Sequence, residues 1–211
     1  MRLLDISFPE PAENLAFDEV LLNGVESGWS VETLRFWESP EPFVVLGLGQ
    51  ARRDEARLNA CANDGIPVMR RCSAGGCVIQ GPGCLNFTLV LKYDSHPELR
   101  SIRGSYTYIL GLLAAAFDRC GLAVVHEGVN DLAIDGKKVS GNAQRRLKTA
   151  ILHQGTLLYG LDSDLMTKYL REPDNRPAYR AGRPHTDFVG HLPMDAAQLR
   201  DVVSEAFAEL S

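Results

Sequence analysis

At 211 residues, with 45% hydrophobic and 23% charged positions, the chain has the composition of an ordinary soluble globular protein and is long enough for one medium domain. Its formal charge of −5 argues against a main role in coating nucleic acid, which needs a surplus of Lys and Arg on one face. No run approaches the ~20 apolar residues of a membrane span, and the acid-bearing start MRLLDISFPEPAEN lacks the apolar stretch of a signal peptide. A cytoplasmic protein without membrane or nucleic-acid partners is therefore expected.

Residues 12–26, AENLAFDEVLLNGVE, place Leu15, Val20, Leu22 and Val25 near a helical period with acids in the first turn, which predicts a first helix. LRFWE at 34–38 and PFVVLGLG at 42–49 are β-branched and aromatic runs around a Pro-containing turn, and read as two adjacent antiparallel strands. RRDEARLNACANDG at 52–65 reads as a helix closed by Gly65. Between 67 and 91 the pattern is strand, glycine loop, strand. SYTYILGLLAAAFDRCG at 105–121 carries an apolar stripe through Ile109, Leu112, Leu113, Ala116 and Phe117 and ends in Gly121, the pattern of a core helix. LAVVHEG, LAIDGKKVSG and ILHQGTLLYG predict three further strands, with Asp135-Gly136 as a hairpin signal. The Pro-rich segment 172–193 reads as a long irregular loop of the kind that forms lids, and MDAAQLRDVVSEAFAEL closes the chain as an amphipathic helix. Hairpins without regular βα alternation indicate a single α+β domain over residues 1–211, not a doubly wound parallel sheet.

The five cysteines, at 61, 72, 77, 84 and 120, form no CxxC pair, so reduced thiols are expected in place of a disulfide scaffold or a zinc site. Cys72, Cys77 and Cys84 crowd one glycine-rich stretch, where inert burial and a reactive thiol are both open readings.

Chemistry concentrates in three segments. RRCSAGGCVIQGPG at 70–83 combines glycines, whose backbone can approach a ligand closely, with Arg70 and Arg71, a pairing suited to a carboxylate or phosphate; a simple turn is the alternative. It is neither a P-loop nor a dinucleotide fingerprint. NDLAIDGKKVSGNAQRR at 130–146 holds lysines beside close-approach glycines, where a cation can neutralise developing negative charge, and Asn130 with Asp131 could offer oxygen ligands to Mg²⁺; a solvated charged hairpin is the plainer reading. ILHQGTLLYG interrupts an apolar strand with His153, Gly155 and Thr156, where a hydrogen-bonded core histidine competes with a functional one. No GxSxG elbow is present, which argues against a serine hydrolase.

Taken together and in order, these segments resemble the biotin/lipoate protein ligase superfamily, most closely its lipoate–protein ligase A and lipoyl/octanoyl transferase branch. RRCSAGGCVIQGPGCLN is similar to the family's arginine pair and glycine loop, NDLAIDGKKVSGNA to its lysine motif and HQGTLL to its HHGTLL; NLAFDEVLL and VVLGLGQ also look like family segments. The resemblance implies the catalytic domain of that superfamily, mixed and mostly antiparallel sheets flanked by helices, without a C-terminal accessory domain. It implies ATP-dependent activation of lipoate or octanoate as an acyl-adenylate, with Mg²⁺, and transfer of the acyl group to a lysine of an acidic carrier domain. An ATP-independent acyl transferase and a non-catalytic acyl-binding subunit are the alternatives, and a separate accessory subunit is a further possible partner.

The same resemblance implies roles for individual residues. Lys138 would be catalytic and Asp131 would sit near the metal. Arg71, Ser73, Gly75, Gly76, Cys77, Val78 and Gln80 would line the acyl and nucleotide site, with Asn130, Ser140, Gly141, Asn142, Ala143, His153, Gly155 and Thr156 completing it. The chain departs from the family pattern at Ala74, which replaces a loop glycine, and at Gln80-Gly81, which replaces a His-Asp pair; Gly81-Pro82-Gly83 instead resembles the octanoyltransferase loop. Arg176, Arg180, Arg183, His185 and His191, with Arg145, Arg146 and Lys148, are expected to form a local basic patch that steers an acidic carrier.

Overall fold

A computed structural model describes residues 1–49, 55–173 and 176–210. In chain order its first half comprises strand β1 (Arg2–Asp5), helix α1 (Pro11–Ser27), strands β2 (Thr33–Trp37) and β3 (Phe43–Leu46), helix α2 (Leu58–Asn63), and strands β4 (Val68–Arg70), β5 (Val78–Gln80) and β6 (Cys84–Lys92). The second half adds helix α3 (Ile102–Arg119), strands β7 (Val125–Glu127), β8 (Asp131–Ile134), β9 (Lys137–Arg146) and β10 (Ala150–Leu158), and helices α4 (Ser163–Tyr169), α5 (His185–Phe188) and α6 (Ala196–Ala206).

Seven strands form one sheet in the order β1-β2-β6-β10-β9-β8-β7, antiparallel throughout except for the parallel β1–β2 edge. The remaining three form a small sheet, β4-β3-β5. The α+β expectation holds, with several corrections. β2 and β3 are not paired but belong to different sheets, because Pro40 and Pro42 leave the short connection without the donors a hairpin ladder needs. β1 was not foreseen, and LAIDGKKVSG is divided by its Asp135-Gly136 turn between β8 and β9, so the region holds four strands instead of three. Both turn residues have φ > 0, as a tight two-residue hairpin requires. Of the helix expected at 52–65, only Leu58–Asn63 is observed as α2; residues 52–54 lie outside the described part.

The period of two assigns each strand residue to a face of the large sheet. Leu34, Phe36, Leu85, Phe87, Leu89, Ile151 and Leu157 point one way, onto α3 and α6, and form the main core with Ile109, Leu113, Phe117, Val203 and Phe207. Each fully buried Leu or Phe there is worth about 1.5–3 kcal/mol relative to exposure. On the other face Val90, Ala150 and Leu152 receive Leu21, Leu22 and Val25 of α1. Val20 is not part of that stripe; it is 46% exposed. Polar residues take its place toward the sheet. Asp18 pairs with Arg35 at 2.6 Å, both fully buried, and Asn14 accepts from the same guanidinium at 2.7 Å. Among the described residues no helix is long and apolar enough to cross a membrane. Beyond the α1 contact, the same sheet face and the small sheet enclose a cavity of about 560 Å³.

Candidate active site

A β-bulge aims the site lysine. Between β8 and β9 the register advances one residue on β8, Leu132 to Ala133, against two on β9, Ser140 to Lys138. The extra residue, Val139, is buried in the main core. Without it, alternation would put Lys138 and Gly141 on opposite faces; the bulge resets the phase and brings Lys138 to the cavity face shared by Gly141 and its partner Asp131. Lys138 Nζ pairs with Asp131 Oδ1 at 2.7 Å, the lysine side chain 27% and the aspartate 7% exposed. The amine lies over Gly141, where a Cβ would stand 3.0 Å from both Cε and Nζ. Thr156 Oγ1 is 3.2 Å from the Gly141 amide that donates to it, on the neighbouring strand. Lys137 is exposed and does not line the cavity.

The glycine loop folds over the end of β3. A Cβ on Gly47 would overlap the Gly75 carbonyl oxygen, so the approach of the two backbones demands glycine there. Positive φ falls on Gly75, not on residue 74, which explains why Ala74 is accommodated. Arg71 is 8% exposed and braces the loop from within: it donates to Ser73 Oγ at 2.9 Å and to the carbonyls of Ala74 and Gly76 at 2.7 and 2.9 Å. Ser73 donates to Gln154 at 2.6 Å, and Gln154 donates to Asp18 at 2.7 Å. A continuous polar chain thus ties the loop to α1 through the sheet. The loop's suitability for anions is visible in the chain itself, since the Cys77 amide donates to the Glu55 carboxylate at 2.9 Å.

The residues expected in the site divide between the two faces of the sheet. Arg71, Gly76, Cys77, Val78, Gln80, Asn130, Asp131, Lys138, Gly141, Asn142, Ala143, Gly155 and Thr156 line the cavity. Ser140 and His153 do not, and Ser73 and Gly75 support the loop from behind. His153 is fully buried on the core side, its ring nitrogens 3.1 Å from Gln144 Nε2 and 3.0 Å from Asn142 Oδ1. Asn142 in turn donates to Ser140 Oγ at 3.0 Å. Burial pushes the imidazole down to about 3, so His153 is a neutral member of a core network behind the cavity wall. Gly155 separates the two regions: a Cβ there would overlap the Phe87 ring.

The segment 172–193 is more ordered than an irregular loop, with a 3-10 turn at Ala178–Arg180 and the short helix α5; residues 174 and 175 lie outside the described part. It straps across the site. Gly190 donates to the Lys138 carbonyl at 2.9 Å, and the Tyr179 hydroxyl donates to Asp131 Oδ2 at 2.8 Å. The basic patch is corrected. Arg180 is 2% exposed and pairs with Glu172, which also meets His185 at 2.9 Å. Arg183 donates to the Gly136 carbonyl at 2.8 Å, Arg145 to that of Cys72 at 3.0 Å, and Arg146 to those of Leu99 and Arg100 at 2.5 and 3.0 Å. These side chains clamp backbone or meet Glu172 and do not present free charge, whereas Arg176, Lys148 and His191 of the expected patch are exposed.

Burial also settles the thiols. The cysteines are unpaired, and desolvation pushes Cys72 up to about 11 and Cys77 up to about 12, with Cys84 raised further. Cys77 and Cys84 line the cavity but hold their protons at neutral pH. Among the described residues no three His, Cys, Asp or Glu side chains cluster as metal ligands. Three carboxylates line the cavity, Asp18 engaged with Arg35, Glu55 with the Cys77 amide, and Asp131 beside Lys138; Mg²⁺ commonly takes one or two carboxylates together with substrate phosphates. The donor set fits an ion that arrives with a nucleotide.

A family model, the lipoyl protein ligase A/B catalytic domain, matches residues 10–208. The chain belongs to this family. Among its relatives, the probable lipoate-protein ligase A of Mycoplasma pneumoniae is 30% identical over 160 residues, 76% of this chain and 46% of that protein. The octanoyltransferase LipM of Geobacillus kaustophilus is 27% identical over 206 residues, covering 86% and 73%. The chain thus spans about half the length of the first and about three quarters of the second. A chain from the structural analysis of an archaeal lipoylation system, a bi-partite lipoate protein ligase and its E2 lipoyl domain from Thermoplasma acidophilum, superposes with a TM-score of 0.84 at 24% identity, over 99% of this chain and 82% of that one. Sequence reasoning missed Asp18, Trp37 and Gln154, which line the cavity, and Arg35 and Tyr179, which hold Asp18 and Asp131 from behind it; a charged residue inside the strand LRFWE and an acid on the apolar side of the first helix were the available signals.

Proposed function

We propose that the chain activates a lipoate-type acid with ATP and Mg²⁺ and passes the acyl group to a lysine of a lipoyl carrier domain. A carboxylate oxygen of the acid would attack the nucleotide's α-phosphorus and expel pyrophosphate. The carrier's lysine amine would then attack the acyl carbonyl, forming an amide, losing a proton and releasing AMP. In both steps negative charge grows on oxygen. The observation that carries the reading is the position of Lys138 Nζ, in the cavity, 2.7 Å from Asp131 and set against Gly141, where a Cβ would crowd it. A cation fixed before reaction stabilises such charge without reorganising. Arg71 holds the glycine loop in shape, and Asp131 would share an incoming metal ion with the phosphates.

The strap of residues 172–193 supports the same reading, because an adenylate is hydrolysed unless water is kept out, and its Tyr179 and Gly190 close directly on Asp131 and Lys138. A second reading is ATP-independent octanoyl transfer, favoured by the wider match to the LipM relative and by Gly81-Pro82-Gly83. A transferase that works through an acyl-enzyme needs a thiolate, and the cavity thiols are held protonated. Pyrophosphate release decides between them. The proposal expects release from ATP that depends on lipoate and is lost in Lys138→Ala. No release, together with acyl transfer from an acyl-carrier thioester, supports the second.

A further inference from the structure

On the acyl-activating reading, on which this inference rests, the carrier's lysine gives up a proton when its nitrogen attacks the acyl carbon. Lys138, a cation, cannot take it, and a strap that keeps water from the adenylate also keeps out the solvent that could. His185, the first residue of α5, lines the cavity with its side chain 13% exposed. Its Nδ1 lies 2.9 Å from Glu172 Oε1, which also accepts from the His185 backbone amide at 3.2 Å. Glu172 is not part of the cavity wall, so the ring turns Nδ1 away from the site and its remaining edge toward it. A carboxylate against Nδ1 favours the proton there and leaves Nε2 as the basic nitrogen. Among the described residues Nε2 has no hydrogen-bond partner.

The same helix brings the imidazole near the site lysine. The Val189 amide donates to the His185 carbonyl at 2.9 Å, one helical turn or about 5.4 Å along, and Val189 bridges Lys138 of β9. Burial, together with the Arg180, Lys138 and Arg176 cations, holds His185 below its ordinary 6.5 against the pull of Glu172, which leaves the ring neutral at pH 7. Other charged groups near α5 are engaged elsewhere or face solvent. On the strap, Arg183 holds the Gly136 carbonyl, Tyr179 holds Asp131, and Asp187 is exposed. From the elements packed on α5, Lys168 and Tyr169 of α4 hold Asp64, and Asp164 and Lys137 are exposed.

We propose that His185 is the general base of the transfer step, receiving at Nε2 the proton that the carrier's lysine loses as the amide forms. The neutral amine attacks the acyl carbon, and the new C–N bond makes its nitrogen cationic and acidic. That proton passes to Nε2, the C–O bond to the phosphate breaks, AMP leaves, and the imidazolium gives its proton to solvent. Adenylation needs no such base, because the acid's carboxylate is already ionised.

Two rates on the full chain separate the steps: lipoate-dependent exchange of pyrophosphate into ATP, and single-turnover transfer from preformed lipoyl adenylate to a lipoyl domain held below saturation. In His185→Gln and His185→Ala transfer should fall ~100-fold or more, the usual contribution of a positioned base, and the loss in exchange should be at least about tenfold smaller. The pH profile of transfer reads the proton itself. Below the imidazole's value, which lies under 6.5, amine and imidazole must both be deprotonated, so the logarithm of the wild-type rate should rise by about two per pH unit, and above it by about one. Both variants should show about one throughout, which a purely structural loss would not produce. Transfer within about twofold of wild type in both variants, a wild-type slope of one throughout, or losses of exchange and transfer that are equal overturns the inference. Absence of exchange in the wild type fails the acyl-activating reading, while transfer from the preformed adenylate still tests His185.

Discussion

Gly141→Ala is the substitution whose effect follows most directly from the site geometry. The new Cβ would stand 3.0 Å from Cε and Nζ of Lys138. Ordinary contacts begin near 3.5–4.0 Å, so the amine must withdraw by about 0.5–1 Å. Gly141 is not among the residues with φ > 0, and the obstructing atoms are the mobile end of a side chain, so the fold can absorb the change. Alanine also costs less chain entropy than glycine in a strand, by roughly 0.5–1 kcal/mol, which offsets the crowding. Stability should thus stay within about 1 kcal/mol of wild type. Activity should not. A misplacement of about 1 Å in a reacting constellation can cost ~100-fold, and a shift of half to all of that predicts a loss of about 10- to 100-fold in the single-turnover rate, with little change in acid affinity. Denaturant melts and rapid-quench acyl transfer on the same preparation measure both quantities. A rate within about twofold of wild type would refute the role given to the amine's position.

Other outcomes follow from the same geometry. Lys138→Ala should lower turnover at least ~100-fold, as loss of one preorganised stabilising group does, whereas Lys137→Ala, outside the cavity, should leave it nearly unchanged; steady-state rates compare them. His153 makes folding sensitive to acid. The folded state holds it near 3 against an ordinary 6.5, so the unfolded chain binds a proton that the folded chain refuses. Its contribution is complete above pH 6.5 and is lost as pH falls toward 3. Between pH 7 and 4.5 the wild type should therefore lose about 2–3 kcal/mol more than a folded His153→Gln variant, read from urea midpoints. Equal losses would contradict the buried-neutral assignment. Mass spectrometry after incubation with an acyl-thioester donor should find no acyl group on Cys72, Cys77 or Cys84; a thioester that chases to the carrier would restore the transferase reading.

The sequence carried the fold class because its strand and helix periods are strong where both faces are covered, as along β6 and α3. The family-like lysine motif pointed to Lys138, which the structure brings to the cavity wall. What it could not show is which face each residue takes. Ser140, Asn142 and His153 share the motifs with Lys138 and Gly155, yet the single extra residue at Val139 and strict alternation send Ser140 and His153 to the core side. The pairing of β2 with β6 instead of β3 depends on partners far along the chain. Asp18 reads as one acid among several in a helix, and only its burial against Arg35 from a separate strand reveals it as an anchor for Gln154. The arginines of 172–193 looked like surface charge because nothing local marks the carbonyls and the Glu172 carboxylate that capture them.

The most direct test of the central proposal is the mass of a lipoyl domain incubated with the purified chain and one of three donors: lipoate with ATP and Mg²⁺, preformed lipoyl adenylate, or an octanoyl thioester of acyl carrier protein without ATP. The account predicts a lipoyl adduct on the carrier lysine from the first two, absent with Lys138→Ala, and none from the third. Modification from the thioester alone would contradict it.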